Sequence, residues 1–163
     1  GLTSSYDAKR ALEVVKMGNA GPAGAAALVL VLGIQIGSLT SLLMHAWGPL
    51  IAAVLVSASR GVAAIGCSRG VKGARKDGLG VTYTETIAPA VTAAVWVAIT
   101  ATLVALFVLT DEPWWRAVLC VAVALTATAW ILRRAIKRFG GVIGDVFGAT
   151  VEVSLALMLL AAS

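Results

Sequence analysis

Of the 163 residues, 60% are hydrophobic and only 13% are charged, and the mean hydropathy is +0.94. A soluble domain carries about a quarter charged residues, so an ordinary soluble fold is excluded and a membrane protein is expected. The net charge of +5 and the pI near 9.7 do not imply a nucleic acid partner, because no soluble domain remains to present a groove and membrane topology accounts for the basic excess.

The chain opens on Gly1 rather than Met, and Gly1 to Asn19 is polar with no signal peptide. It begins as the middle of a longer protein would. Tyr6 to Met17, with Leu12 and Val15 spaced along it, predicts a short amphipathic helix lying on the inner membrane surface. Gly18, Gly21 and Gly24 around Pro22 then form a turn. Residues 1–21 therefore read as a cytoplasmic segment and turn, and residues 22–163 as a transmembrane helical domain.

A span needs about 20 mainly apolar residues to cross a hydrocarbon core about 30 Å thick. Pro22 to Met44 and Thr86 to Thr110 contain no charge and are long enough. Gly48 to Gly66 is interrupted only by Arg60, and Val142 to Ala162 only by Asp145 and Glu152. Ala117 to Leu132 is shorter and is flanked by Trp115 and Trp130 as interfacial anchors. The expectation is an all-α polytopic protein of five helices, at about 22–45, 48–66, 86–110, 115–132 and 142–162.

Basic residues alternate with these spans. Lys9, Arg10 and Lys16 precede the first; Arg69, Lys72, Arg75 and Lys76 follow the second; Arg133, Arg134, Lys137 and Arg138 follow the fourth. The other connections, His45-Ala46-Trp47 and Asp111 to Arg116, hold one Arg and no Lys. By the positive-inside rule the basic loops are cytoplasmic, in a multi-pass protein of the cell membrane with its N-terminus inside and C-terminus outside. The same loops suit anionic lipid of the bilayer. Cys67 and Cys120 fall on opposite sides, so no disulfide is expected between them.

The chemistry available is limited. His45 is alone and on the outer side, away from the acids, two cysteines do not make a zinc site, and no G-x-x-x-x-G-K-[ST] loop is present. Gly33 with Gly37, and Gly144 with Gly148, have the four-residue spacing that lets neighbouring helices approach closely. Gly140-Gly141 opens the last helix, where free backbone N–H groups suit a phosphate.

Ionisable residues inside spans are functional candidates. Asp145 lies in the first turn of the last helix, near the inner surface. Glu152 follows seven residues later on the same face, about 10 Å away along the axis. One Mg²⁺, which binds oxygen at about 2.0–2.1 Å, cannot take both directly. Arg60 lies at a depth similar to that of Glu152, which predicts either an Arg60–Glu152 ion pair fixing the packing or a role in substrate binding.

Gly140-Gly141-Val142-Ile143-Gly144-Asp145-Val146-Phe147-Gly148-Ala149, followed by Glu152, resembles the closing G-G-x-x-G-D-x-x-G-A-x-x-E signature of cobalamin synthases, the adenosylcobinamide-GDP ribazoletransferases. Ala74-Arg75-Lys76-Asp77-Gly78-Leu79-Gly80 resembles their A-R-x-x-G-L-G loop, with Arg60 at the family's upstream arginine. Gly1 to Asp7, Arg10 to Val14 and Gly21 to Gly24 resemble the actinobacterial form. The resemblance implies a Mg²⁺-dependent transferase that joins adenosylcobinamide-GDP to α-ribazole or its 5′-phosphate and releases GMP, the final step of cobalamin assembly.

On that resemblance Asp145 is the catalytic and metal-binding candidate, holding Mg²⁺ or orienting the ribazole hydroxyl. Arg60, Arg69, Lys72, Arg75, Gly78, Gly80 and Glu152 are the substrate-binding candidates, with Lys72 and Arg75 on the GDP phosphates or serving only as topological charges. Asn19 stands where relatives tend to carry a charged residue. The family's acid-rich D-G-L-A-D-x-x-D-G segment would end near Gly1, so the chain resembles the C-terminal two-thirds of the enzyme. An upstream segment is the expected partner, and residues 1–163 alone are expected to be inactive. The rival readings are another membrane alcohol phosphotransferase and a small transporter subunit. The latter lacks support from inverted repeats.

Overall fold

The computed structural model of the protein describes residues 21–74 and 82–163. The expected amphipathic helix, and Arg75, Gly78 and Gly80 of the A-R-x-x-G-L-G loop, lie outside the described residues.

Each described helix starts and stops where its sequence dictates. Helix α1 (Pro22–Leu43) begins with Pro22 in its first turn after an extended Gly21, a position where proline's missing N–H costs nothing. The turn into α2 (Gly48–Ser59) is so tight that a Cβ on Gly48 would collide with the Leu42 carbonyl. Helix α2 ends at Ser59 and α3 (Val62–Gly66) carries the same span onward. Between them Gly61 N–H donates to Ala58 O at 2.9 Å and Ala63 N–H to Arg60 O at 3.1 Å, three-residue bonds that tighten the helix locally.

Helix α4 (Pro89–Leu109) again starts on a proline after an extended residue, Ala88. Helix α5 (Trp114–Phe139) ends on Gly140, whose φ of +74° is the left-handed conformation that closes helices at little cost only when the residue is glycine. Helix α6 (Gly144–Ala162) completes the bundle. The five stretches Pro22–Leu43, Gly48–Gly66, Pro89–Leu109, Trp114–Phe139 and Gly144–Ala162 are long and apolar enough to cross a membrane. The protein is an all-α polytopic membrane protein, as expected.

The fourth span differs in length. Helix α5 does not stop near residue 132 but runs to Phe139, because the apolar stripe Leu132, Ala135, Phe139 continues at helical spacing and is buried. Arg133, Arg134 and Lys137 point out of that stripe. An apolar run ends at the first charge; an amphipathic helix does not.

Helix α6 lies at the centre, packed on α1, α2, α3 and α5. The core in the spanning region joins Leu42, Ile51, Leu55, Leu103, Phe107, Met158 and Leu159. A second cluster, Ile131, Leu132, Ala135, Phe139, Val142, Ile143 and Val146, closes the basic end. Within lipid the contacts that hold helices are close packing and hydrogen bonds between them. Thr128 Oγ1 and Ser154 Oγ lie 3.2 Å apart between α5 and α6, and Cys120 Sγ donates to Met158 O at 3.4 Å. Both cysteines are free thiols.

The glycine pairs are not used as expected. A Cβ on Gly33, Gly37 or Gly148 would meet nothing within 4 Å. Gly33 and Gly37 lie on the side of α1 away from its buried residues Ser38 and Leu42. The close approaches between elements fall elsewhere, among them at Gly61, where a Cβ would lie 2.5 Å from the Ile99 side chain, at Gly66, where it would lie 2.5 Å from the Phe147 ring, and at Gly141.

Candidate functional site

The site is built where the loop after α3 meets the turn before α6. The loop is stitched on both flanks by backbone bonds. Ile87 N–H donates to Cys67 O at 3.0 Å, and Arg69 N–H donates to Ile87 O at 2.9 Å. On the other side Val142 N–H donates to Lys72 O at 2.8 Å and Ala74 N–H to Val142 O at 2.9 Å. These make two isolated parallel bridges, Ser68 with Ile87 and Gly73 with Val142. Two of the basic loops therefore share one end of the bundle, as the alternation of charges requires.

Gly141 makes this junction. Its missing Cβ would sit 2.6 Å from Ala74 N, Gly73 C and Lys72 O, all backbone, so no side chain fits. Ser68 Oγ and Thr92 Oγ1, 2.6 Å apart, tie the loop to α4. The result holds Lys72 against the entry to α6, with Asp145 exposed in that helix's first turn. Arg69 and Lys72 are exposed as well. A helix N-terminus, nearby cations and a solvent-facing loop together favour an anionic ligand. Arg138 lies at the same end on α5, and its Nε is buried with no hydrogen-bond partner among the described residues.

The structure does not form the expected Arg60–Glu152 pair. Arg60 Nη1 donates to Val56 O at 2.8 Å and Ser59 Oγ at 2.9 Å. Glu152 Oε2 accepts from Gln35 Nε2 at 2.9 Å, and the same amide reaches Glu152 O at 3.1 Å. Among the described residues the ion pair is Arg116–Glu112, 3.2 Å, between the first turn of α5 and the connection before it, at the opposite end. Matching depths did not predict contact because Arg60 lies about 140° round α2 from the buried Leu55. Its guanidinium instead folds back along its own helix, as long side chains do.

Gln35 is the residue that a count of charges overlooks. A neutral amide amid the apolar run of α1 is the signal, because polar groups within spans either pair or serve a function.

Asp145 can supply one carboxylate to a metal. Mg²⁺ at a phosphate site takes one or two carboxylates, with substrate oxygens and water completing the octahedron. Among the described residues no group of three His, Cys, Asp or Glu converges, so Asp145 fits such an ion only as a single protein ligand beside an anionic substrate. Glu152, on the same face about 10 Å deeper, does not join it.

This arrangement can be set beside known proteins. The chain is 38% identical over 161 residues to an adenosylcobinamide-GDP ribazoletransferase of Nocardioides sp., covering 99% of this chain and 60% of that protein. It is 34% identical to one of Frankia casuarinae over 158 residues, covering 93% of this chain and 56% of the relative. A Pseudomonas putida protein of the same name is 32% identical over 147 residues, 90% of this chain and 57% of its own length. The chain thus spans less than two thirds of the length of these relatives, and no solved structure is significantly similar to it. The match to the cobalamin-5-phosphate synthase family extends over residues 1–163, taking in the loop, the Gly140-Gly141 turn and the Asp145 helix alike: the chain belongs to that family.

Proposed function

We propose that this chain forms the membrane-embedded, phosphate-facing part of an adenosylcobinamide-GDP ribazoletransferase, completed by polypeptide upstream of Gly1. The observation that carries the reading is the junction at Gly141, which fixes the basic loop of Arg69 and Lys72 against the first turn of α6 and its Asp145. Membership of the family supports the substrate class, and the basic loops support a cytoplasmic site in the cell membrane.

In the proposed reaction a ribose hydroxyl oxygen of α-ribazole, or of α-ribazole 5′-phosphate, attacks the corrinoid-linked phosphorus of adenosylcobinamide-GDP. The hydroxyl's O–H bond and the bond from that phosphorus to the bridging oxygen break, GMP leaves with the electron pair of the latter, and the proton ends on its phosphate. Such transfers depend mainly on positioning and on neutralising charge. Arg69 and Lys72 neutralise the diphosphate, and free N–H groups at the start of α6 supply further donors. Asp145 either holds the incoming hydroxyl by accepting its hydrogen bond or contributes a ligand to Mg²⁺. That ion, when bound, supplies charge neutralisation on the diphosphate. Arg75, Gly78 and Gly80 belong to the same proposal through the family motif, outside the described residues. Arg60 and Glu152 lie within spans and support the fold around the site.

The test is GMP release by membranes containing the protein expressed from its whole reading frame, supplied with adenosylcobinamide-GDP, α-ribazole and Mg²⁺. Release that vanishes in Asp145→Asn supports the reading. A protein that releases a different nucleotide from another donor, and no GMP, belongs with other membrane alcohol phosphotransferases.

A further inference from the structure

Helices α1 and α6 run side by side but touch along only part of their length. On α1 the stripe facing α6 is Gln35, Ser38 and Leu42, the last two buried. Continued toward the basic end, that stripe reaches Leu28 and Gly24. Leu28 is 59% exposed, and every residue from Gly21 to Leu30 is exposed. Helix α6 shows the same change. Ala156 and Leu159 are buried, whereas Asp145, Gly148, Ala149 and Glu152, on the same face nearer the basic end, are all exposed.

The two helices therefore part below the Gln35–Glu152 contact and leave a crevice. It runs about 10 Å from Asp145 to Glu152. Its floor at Gly148 is open, since a Cβ there would meet nothing within 4 Å. Its deep end is anionic: Glu152 Oε2 accepts from Gln35, and Oε1 has no donor among the described residues. A carboxylate at this depth does not face hydrocarbon; intramembrane acids point to protein or water and find partners.

We infer that the crevice seats a further transmembrane helix bearing a lysine or arginine, contributed by polypeptide beyond these 163 residues, whose cation pairs with Glu152. Two observations select this occupant. The half-satisfied carboxylate calls for a cation, and glycine at the floor with Gly24 and Ala27 on the facing side of α1 admits a helix backbone closely. About two fifths of the length of each relative lies outside the matched part, enough to supply such a helix. The inference rests on the membrane setting and not on the transfer reaction, and its test needs no activity assay.

The protein, expressed from its whole reading frame in native membranes, carries a photoreactive phenylalanine analogue at Ala149, with Val97, 69% exposed on α4, as the lipid-facing control. The Ala149 label should attach to an apolar peptide from outside residues 1–163 that contains Lys or Arg, and the Val97 label to lipid. If the Ala149 variant does not accumulate, the same label at Asp145, exposed on the same face, serves instead. Glu152→Lys should lose most of its folded yield, and exchanging the labelled segment's cation for Glu should restore it. Attachment to lipid, to residues 1–20 or to a second copy of residues 21–163 overturns the inference, as does an exchange that restores nothing.

Discussion

The two halves of α6 obey different rules. Its outer half is closed. Leu155, Ala156, Met158 and Leu159 are buried, Cys120 donates to the Met158 carbonyl, and Ser154 meets Thr128 across the helix boundary. Its basic half keeps Asp145, Gly148, Ala149 and Glu152 exposed on one face, while its other face, at Val146, is buried in a cluster with Phe139 and Val142. Polar side chains in the closed half satisfy one another and hold the bundle. Those in the open half are left facing a crevice and a loop, where a ligand or another segment can use them.

The largest expected effect that sharpens this division is at Asp145. In the protein made from its whole reading frame, Asp145→Asn should lower GMP release by about 10²-fold or more, the scale of losing one preorganised charge contact in a transition state. Folded yield should not change, because Asp145 is exposed. Residues 1–163 alone should release no GMP. Robust turnover by them, or an active Asp145→Asn enzyme, would leave that aspartate only as favourable charge at a helix N-terminus.

Next comes the junction. Gly141→Ala places a Cβ 2.6 Å from three backbone atoms of the Lys72–Ala74 segment, so the loop must move or the helix entry must shift. The expected cost is about 1–3 kcal/mol, typical of overpacking, with faster proteolysis between Arg69 and Ala74. An unchanged cleavage rate would mean that the loop is not held by this contact.

The orientation of the open half can be tested at Cys67, half-buried beside the same loop. An impermeant thiol reagent should label it in inside-out vesicles and not in intact cells. Burial pushes the Cys67 thiol above its ordinary range, so less thiolate is present at neutral pH. Since the thiolate is the reactive form, labelling should accelerate about tenfold per pH unit through the ordinary thiol range near 8.5 and beyond it. A rate that levels off below that range contradicts the burial, and labelling from outside intact cells removes the cytoplasmic assignment.

These tests follow the line between what the sequence disclosed and what it did not. The spans were legible because long uncharged runs have few other uses, and the alternation of Arg and Lys fixed which loops share an end. Asp145 and its Gly140-Gly141 turn were legible because a charge opening an apolar helix after two glycines is rare chemistry in a rare place. The partner of Glu152 was not. Spacing along a helix gives depth and face on that helix alone, whereas contact between helices depends on rotation and splay, which arise from packing. Thus Gln35, uncharged, took the place assigned to Arg60. Packing also decided the glycines: a four-residue spacing permits close approach, but the glycines met by a neighbour include Gly48, Gly61, Gly66 and Gly141, while Gly33, Gly37 and Gly148 are open.

In the closed half the expected effects are small. Ser154→Ala removes the contact with Thr128 at 3.2 Å, and such bonds between membrane helices average about 0.6 kcal/mol with a maximum near 1.7. Thermal unfolding in detergent should therefore shift slightly and GMP release should not. A double-mutant cycle with Thr128→Ala isolates the pair. A coupling near zero would assign Ser154 to the Ala124 carbonyl, 3.5 Å away.

The smallest effect is expected at Gly37, and it separates packing within this chain from packing against another. A Cβ there meets nothing among the described residues, and the residue lies on the side of α1 away from Ser38 and Leu42. Gly37→Ala should therefore leave the stability of residues 1–163 in detergent within about 0.5 kcal/mol, or raise it slightly, since alanine favours a helix over glycine. A larger bulk, Gly37→Leu, should be equally mild in that chain because the side is open. If instead Gly37→Leu weakens the protein made from its whole reading frame while sparing residues 1–163, a neighbouring helix occupies that side of α1 as well. Destabilisation of residues 1–163 themselves would mean that α1 is rotated from the orientation in which Gln35 meets Glu152, and the division between closed and open halves of α6 would go with it.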